Sequence, residues 1–251
     1  MSSPLGVIWV GFVASLAAGL ATGVGALPAL ITTRVSARAL NGMLGFAAGV
    51  MLAATCFSLL VPAIDAGGVW VALTGLALGA AFLTALDRLL PHEHFASGPE
   101  GPSSSLRRTW LFVIAITLHN FPEGLAVGVG FGSGDLSGAT SLAIGIGLQN
   151  MPEGLAVALP LVREGYGRLP AFGIALASGL VEPIGGLLGV VAVTEAAFLL
   201  PWALAFAAGA MLTVISDEII PETHREKHGG TGTFGLLVGF IVMTAMDNLL
   251  G

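Results

Sequence analysis

The sequence carries little charge and has almost no cysteine. Only 10% of its 251 residues are Asp, Glu, Lys or Arg, whereas 55% are hydrophobic. A soluble domain usually carries about 25% charged residues, so this composition excludes an ordinary water-soluble domain. Cys56 is the single cysteine, which excludes an intrachain disulfide and a CxxC metal motif. We therefore expect residues 1–251 to form one domain whose solvent is mostly lipid.

Long apolar runs predict eight membrane-spanning helices. A bilayer core requires about 20 consecutive apolar residues per helix, and backbone groups in lipid must pair within their own segment. The continuous runs also lack the alternating pattern of a membrane β-barrel. The predicted fold class is an all-α membrane protein with helices 1 to 8 at 5–31, 40–64, 69–90, 109–132, 138–162, 169–193, 198–221 and 232–250.

The basic residues all fall on one side of this arrangement. They belong to the loops that join helices 1 and 2, 3 and 4, 5 and 6, and 7 and 8. The positive-inside rule makes that side cytoplasmic and puts both termini outside. We expect a multi-pass protein of the plasma membrane, which is the inner membrane in a two-membrane bacterium. The nine residues are Arg34, Arg38, Arg88, Arg107, Arg108, Arg163, Arg168, Arg225 and Lys227.

Two of these cytoplasmic loops contain histidines. The longest loop, 91–108, is rich in Pro, Gly and Ser and is expected to be flexible. His92 and His94 lie in it, and His224 lies near the loop between helices 7 and 8. These side chains either catch metal on the cytoplasmic side or belong to ordinary solvated loops.

Two sequence repeats connect helices that run in opposite directions. The helix 4 segment His119-Asn-Phe-Pro-Glu-Gly-Leu-Ala-Val recurs in helix 5 as Gln149-Asn-Met-Pro-Glu-Gly-Leu-Ala-Val. The helix 2 segment Phe46-Ala-Ala-Gly-Val-Met-Leu recurs in helix 7 as Phe206-Ala-Ala-Gly-Ala-Met-Leu. Inverted repeats are typical of secondary transporters, which bind substrate near the midplane at the repeat interface.

Acidic residues lie deep in the predicted helices without basic partners. Glu123, Glu153 and Glu182 belong to helices 4, 5 and 6, and Asp217 and Glu218 belong to helix 7. A charge at the bilayer centre costs at least about 2.5–3.5 kcal/mol. Because all basic residues lie at loops or helix ends, these acids are either protonated or neutralised by a mobile cation. The second case is a transport site.

The spacing of the polar residues favours a metal cation. His119 and Glu123 are four residues apart, as are Gln149 and Glu153, so each pair shares a helix face. A neutral imidazole together with carboxylates suits zinc and its first-row neighbours. Taken singly, the histidine and the amides have a simpler interpretation, since such side chains often hydrogen-bond neighbouring membrane helices.

HNFPEG in helix 4 together with QNMPEG in helix 5 resembles the ZIP (Zrt-, Irt-like) metal transporters, and their bacterial GufA-like branch most closely. The resemblance extends over nearly the whole chain and includes VEP at 181–183 and SDEIIPETH at 216–224. It implies a binuclear metal site. One position would use His119, Glu123, Gln149 and Glu153 with Met51 close by, and the other Asn120, Asn150 and Glu182, with Glu123 and Glu153 bridging.

The same resemblance implies a route through the membrane. Asp65 and Asp247 would lie at the outer entrance, with Ser58 further along. Asp87 would lie near the inner end of helix 3, and Asp217 and Glu218 would line the inward path. Many relatives carry an acid where this chain has Asn150, which implies a weaker second metal position. Met51 also has a simpler interpretation, because methionine on an apolar face usually packs in the core.

The function implied is transport of divalent metal ions into the cytoplasm, zinc first, with cadmium, iron, manganese and cobalt as further substrates. Helices 1, 4, 5 and 6 would move like an elevator against helices 2, 3, 7 and 8. The resemblance further implies a homodimer, no resident cofactor, no nucleic-acid partner and no enzymatic activity. Two alternatives remain, an intramembrane metalloenzyme similar to zinc proteases and a proton-linked carrier of an organic cation.

Overall fold

The computed structural model describes residues 3–90, 92–94, 98–100, 108–224 and 229–250. Within these residues, eight helices are long and apolar enough to cross a membrane, as predicted. They keep the names helix 1 to helix 8. Their bounds, in order, are Pro4–Leu30, Ala37–Gly67, Val69–Leu89, Val113–Gly132, Leu136–Arg163, Arg168–Glu195, Ala197–Asp217 and Gly230–Leu250.

Several of these helices are composite. The α-helical part of helix 4 begins at Arg108, that of helix 8 begins at Gly229, and helix 1 ends in a 3-10 turn, Leu27–Leu30. Helix 6 consists of Arg168–Gly179 and Glu182–Glu195, because the chain turns at Leu180 and Val181. Helix 2 is α-helical at Ala37–Ala53, π-helical at Ala54–Leu60 and α-helical again at Val61–Gly67. Helix 7 begins with the 3-10 turn Ala197–Leu199 and continues as the α-helix Leu200–Val214. The π-helical segment Ile215–Ile219 and the extension Ile220–His224 follow.

Side-chain caps explain why three helices begin where they do. The hydroxyls of Ser3 and Ser36 and the carboxylate of Asp135 accept hydrogen bonds from first-turn N–H groups of helices 1, 2 and 5. These groups have no partner inside the helix. In the loop after helix 3, His92–His94 and Gly98–Glu100 pair as a short antiparallel ribbon. The flexibility of this loop stays a prediction.

Glycines bind helices 1, 4, 5 and 6 into one group. A side chain on Gly124 would overlap the backbone of Glu182, and one on Gly128 would overlap that of Gly186. Helices 4 and 6 can therefore approach only because these residues lack a Cβ, as in other small-residue membrane interfaces. Helix 1 packs equally closely against two other helices of the group. A Cβ on Gly154 of helix 5 would overlap the backbone of Thr22, and one on Gly19 would overlap that of Gly179 in helix 6.

The other four helices, 2, 3, 7 and 8, are called the second group here and consist of two such pairs. Helix 2 meets helix 8 through Gly49 and Gly235, and helix 3 meets helix 7 through Gly79 and Gly209. Between the two groups the described glycines make no such backbone approach. At Gly145 of helix 5, the nearest atoms instead belong to the side chain of Met243 in helix 8. The molecule thus consists of two closely packed groups that meet through side chains.

The inverted repeat of helices 2 and 7 extends to an unusual backbone feature. Each helix contains one π-helical segment, Ala54–Leu60 in helix 2 and Ile215–Ile219 in helix 7. The first starts eight residues after Phe46 and the second nine residues after Phe206, so both follow the repeated heptapeptide. Because the two helices run in opposite directions, the segments lie in opposite halves of the membrane.

A proline lies just after each π segment. Pro62 has no N–H to donate to the carbonyl of Ser58, and Pro221 has none for that of Asp217. In each segment the residue before the proline still donates with the wider i→i+5 spacing, Val61 to the carbonyl of Cys56 and Ile220 to that of Ile215. π turns are frequent at functional sites, and both Ser58 and Asp217 belong to the route expected from the sequence.

Candidate metal-transport site

The predicted ligands of helices 4, 5 and 6 are all buried. Each side chain is at most 3% exposed, although all of them are polar or acidic. The described buried side chains include no Lys or Arg. Burying a polar or charged group is unfavourable unless it is paired, so this cluster is a costly feature of the fold. Its members are His119, Asn120, Glu123, Gln149, Asn150, Glu153 and Glu182.

A chain of hydrogen bonds connects helices 5 and 6 within the cluster. Gln149 Nε2 donates to Asn150 Oδ1 at 2.8 Å, and Asn150 Nδ2 donates to Glu182 Oε1 at 2.6 Å. The same Nδ2 donates to the backbone carbonyl of Ala18 at 2.8 Å. Asn150 therefore has its amide hydrogens directed at an acid of helix 6 and at the backbone of helix 1.

The acids of the cluster are close enough to interact electrostatically. Glu182 experiences the charges of both Glu123 and Glu153. The side chain of Gln149 lies near Glu123, but neither carboxylate oxygen of Glu123 accepts a hydrogen bond of ordinary length and angle. A cation placed beside Glu123 would interact with both of these carboxylate oxygens.

The arrangement is not a ready-made metal cage. Within the described part of the chain, no three His, Cys, Asp or Glu side chains are grouped closely enough to hold an ion. At Glu182, Oε1 accepts the amide of Asn150, so part of the lone-pair capacity of this carboxylate is already used.

Two features of the cluster were missed by sequence reasoning. Helix 1 takes part through the carbonyl of Ala18, and a backbone acceptor has no signature in residue type. Helix 6 is interrupted directly before Glu182, where Pro183 cannot donate a hydrogen bond to the preceding turn. Glu182 thereby becomes the first residue of a half-helix, where the helix dipole favours negative charge. The VEP sequence was the available signal for this break.

The prolines of helices 4 and 5 have a smaller effect. Helix 4 continues through Pro122 and helix 5 through Pro152. Met51 of helix 2 is fully buried in the main hydrophobic core, together with Val50, Ile146 and Met243. Its packing agrees with the simpler interpretation, while its place beside the metal stays a prediction.

A cavity of about 330 Å³ opens between helices 2, 4, 5, 7 and 8. It is lined by Asp247, a predicted entrance residue, and by Ser58, which was predicted further along the path; Ser58 Oγ donates to Asp247 Oδ1 at 2.8 Å. Asp65 is exposed and is not among the lining residues. Asp135, the N-cap of helix 5, does line the cavity and was missed. Its position directly before an apolar run was the signal for a helix cap.

The predicted inner residues are less completely described. Asp87 is buried near the C-terminal end of helix 3. Asp217 is exposed in the π segment of helix 7. The side chains of Glu218, His92, His94 and His224 lie outside the described residues, so their roles stay predictions.

Known proteins resemble this chain over most of its length. The family model described as ZIP Zinc transporter matches residues 91–247. Zinc transporter GufA of Myxococcus xanthus is 46% identical, covering 96% of this chain and 99% of that protein. Zinc transporter ZIPB of Bordetella bronchiseptica is also 46% identical, over 94% of this chain and 80% of that protein. Zinc transporter ZIP11 of Homo sapiens is 37% identical, over 92% and 94%. The chain belongs to the ZIP family of zinc transporters.

Proposed function

We propose that this protein moves zinc into the cytoplasm through the buried cluster of helices 4, 5 and 6. Family membership makes the chain a multi-pass membrane transporter and not an enzyme, which removes the metalloprotease alternative. The proposal depends above all on one observation: Glu123, Glu153 and Glu182 are all buried, and no Lys or Arg is buried among the described residues.

The donor set accounts for the choice of ion. His119 provides an imidazole nitrogen, and Glu123 and Glu153 provide carboxylates that together carry up to two negative charges. Such a mixture suits zinc, and its remaining oxygen-rich character also accommodates cadmium, iron, manganese and cobalt. A site with only one nitrogen donor holds its ion moderately, which suits release as well as capture.

A second ion position around Asn120, Asn150 and Glu182 would be weaker. An amide oxygen contributes no net charge. In addition, Asn150 already donates to Glu182 at 2.6 Å, which leaves fewer lone pairs of this carboxylate for an ion. We expect the second position to be occupied in transit or at high metal concentration, with Glu123 and Glu153 shared between the two ions.

Movement by an elevator mechanism agrees with the way the helices pack. Helices 1, 4, 5 and 6 are joined through glycines at backbone distance, and so are the pairs 2 with 8 and 3 with 7. Across the boundary, the contact at Gly145 is made by the flexible side chain of Met243. Side-chain contacts can be exchanged during sliding more easily than interlocked backbones. The first group would carry the metal site past the second, and a homodimer would hold the second group in place.

Zinc uptake into proteoliposomes tests the proposal. Glu123→Gln keeps the size of the side chain but removes its charge, and His119→Ala removes the imidazole. Both variants are expected to lose zinc uptake while they retain the elution profile of the folded protein. Glu195→Ala is the matched control, because Glu195 belongs to the same helix group but is exposed. Normal uptake by a folded Glu123→Gln variant would refute the proposed site.

A further inference from the structure

An apolar groove of about 620 Å³ lies on the outside of the helix bundle, away from the metal cluster. Its walls come from the first half of helix 2, the first half of helix 8 and the middle of helix 5. These parts of helices 2 and 8 adjoin the loops that contain the basic residues. The groove is lined by Ser36, Arg38, Ala39, Gly42, Met43, Phe46, Leu148, Met151, Pro152, Thr231, Phe234, Gly235 and Val238.

The groove joins the two helix groups. Helices 2 and 8 belong to one group, whereas Leu148, Met151 and Pro152 belong to helix 5 in the other. Leu148 and Pro152 are four residues apart and share one face of helix 5, whereas the predicted ligands Gln149 and Glu153 share another. The groove therefore adjoins the helix 5 motif of the cluster on a face other than that of these ligands.

The chemistry of the groove changes along its length. Its deep part is apolar, and at helix 8 the ring of Phe234 is 68% exposed, which suits hydrocarbon and not water. Its rim, at the first turn of helix 2, contains the exposed guanidinium of Arg38. The nearby Arg163 and Arg168 are already engaged with backbone carbonyls of the loop after helix 1.

We infer that this groove binds one phospholipid with an anionic headgroup. An acyl chain fills the apolar part between helices 2, 5 and 8, and the phosphate lies beside Arg38 at the cytoplasmic surface. A basic residue near the membrane surface attracts anionic lipid by about 1 kcal/mol, and an arginine fork is suited to phosphate oxygens. The charge at the rim beside an apolar depth matches the two parts of an anionic phospholipid, its headgroup and its acyl chain.

Occupation of the groove has a consequence for movement. A lipid chain held there touches helix 5 on one side and helices 2 and 8 on the other. If helix 5 slides as proposed above, the lipid must slide with it or be exchanged, so lipid occupancy changes the relative stability of the transporter's states. This second step rests on the proposed transport function, whereas lipid binding itself does not.

Native mass spectrometry of the delipidated protein tests binding without any metal. Phosphatidylglycerol is the anionic probe and phosphatidylcholine the neutral one. Arg38→Gln removes the charge, and Ala39→Phe fills the groove while keeping the charge. Arg34→Gln is the matched control, because Arg34 is exposed in the same loop but does not line the groove. We expect wild type and Arg34→Gln to bind phosphatidylglycerol about fivefold more tightly than Arg38→Gln.

The outcomes are distinct. Equal phosphatidylglycerol binding by wild type and Arg38→Gln overturns the inference. A shift from dimer to monomer in both Arg38→Gln and Ala39→Phe, without any loss of bound lipid, also overturns it. In the second case a second copy of the chain covers the groove.

A second experiment measures zinc uptake in phosphatidylcholine vesicles with and without phosphatidylglycerol. Phosphatidylglycerol is expected to stimulate uptake by wild type and Arg34→Gln but not by Arg38→Gln. Loss of uptake in every vesicle would instead count against the transport proposal, while the binding result would stand.

Discussion

Asn150 donates a hydrogen bond of 2.6 Å to Glu182, across the interface of helices 5 and 6. Both residues are fully buried. The amide of Asn150 stabilises Glu182 in the absence of metal. In the proposed second metal position, the same amide would contribute no charge of its own.

Asn150→Asp should change this balance in both directions. Without metal, two acids would face each other at hydrogen-bond distance, which lowers the thermal stability unless they share a proton. With metal, the added carboxylate should raise affinity at the second position by at least about tenfold, which corresponds to ~1.4 kcal/mol. Equilibrium dialysis with cadmium measures the number and affinity of bound ions.

The control for this variant is Asn248→Asp, since Asn248 lies on helix 8 and donates to a backbone carbonyl of its own helix. It should leave the cadmium stoichiometry unchanged. An unchanged stoichiometry and affinity in Asn150→Asp as well would show that Asn150 is not a metal ligand.

The glycine contacts predict where the first helix group is intolerant of change. In Gly124→Ala, the new methyl group would overlap the backbone of Glu182, and backbone cannot move aside as a side chain can. Overpacking of this kind destabilises by about 1–3 kcal/mol and would separate helices 4 and 6 at the metal cluster. We expect a lower melting temperature in detergent together with reduced zinc binding.

Gly173→Ala provides the comparison within helix 6. A Cβ at Gly173 would have nothing within 4 Å, and alanine in a helix is favoured over glycine by roughly 0.5–1 kcal/mol. This variant should therefore be as stable as wild type or more stable. If both alanine variants melt at the same temperature as wild type, the interlocked packing of helices 4 and 6 is wrong.

Much of this architecture could be predicted from the sequence, because lipid imposes strong constraints. The eight apolar runs and the duplicated motif at His119 and Gln149 identified the spans and the helices of the cluster. The features that could not be predicted depend on backbone geometry. The carbonyl of Ala18 and the break before Glu182 involve main-chain groups whose partners are decided by how closely helices pack.

The two π segments illustrate the same limit. Pro62 and Pro221 were visible in the sequence, but a proline in a membrane helix permits a kink, a break or a wider turn. Which of these occurs depends on the neighbouring helices. Helices 2 and 7, which contain the inverted repeat, both have the wider turn.

A pair of arginines joins the loop after helix 1 to helices 5 and 6. Arg168 Nη1 donates to the carbonyls of Leu30 and Ile31 at 2.8 and 2.7 Å. Arg163 Nη2 donates to those of Thr33 and Val35 at 3.2 and 3.1 Å. The loop leads from one helix group to the other, so these contacts hold its first part to the group that contains the metal cluster.

Arg168→Gln should loosen this attachment. Because the guanidinium is exposed, we expect a loss of about 1 kcal/mol, which corresponds to a decrease of about 2–4 °C in melting temperature for a protein of this size. Limited proteolysis should also cleave the loop faster. Arg34→Gln changes an arginine of the loop itself and should have neither effect. If the two variants have the same melting temperature and cleavage rate, Arg168 has no structural role of this kind.

The cavity that contains Ser58 gives different expectations for the two acids that line it, Asp247 and Asp135. Asp247 lines the cavity and accepts a hydrogen bond from Ser58, so its charge is fixed where an entering ion would pass. Asp247→Asn should raise the zinc concentration needed for half-maximal uptake by roughly fivefold, as for a loss of ~1 kcal/mol, with little change in maximal rate. Asp135→Asn should have a smaller effect, since the Asp135 carboxylate already accepts two N–H groups of helix 5.

For Asp65, the structure and the family resemblance give different expectations about zinc uptake. It is exposed and does not line the cavity, so in this conformation Asp65→Asn should leave half-maximal uptake nearly unchanged. An effect as large as that of Asp247→Asn would mean that ions pass Asp65 before they reach the cavity. Initial rates across a series of zinc concentrations, measured at high ionic strength to screen distant charges, distinguish the two cases. A change in maximal rate alone would contradict both, because a capture residue acts before the ion is bound at the site.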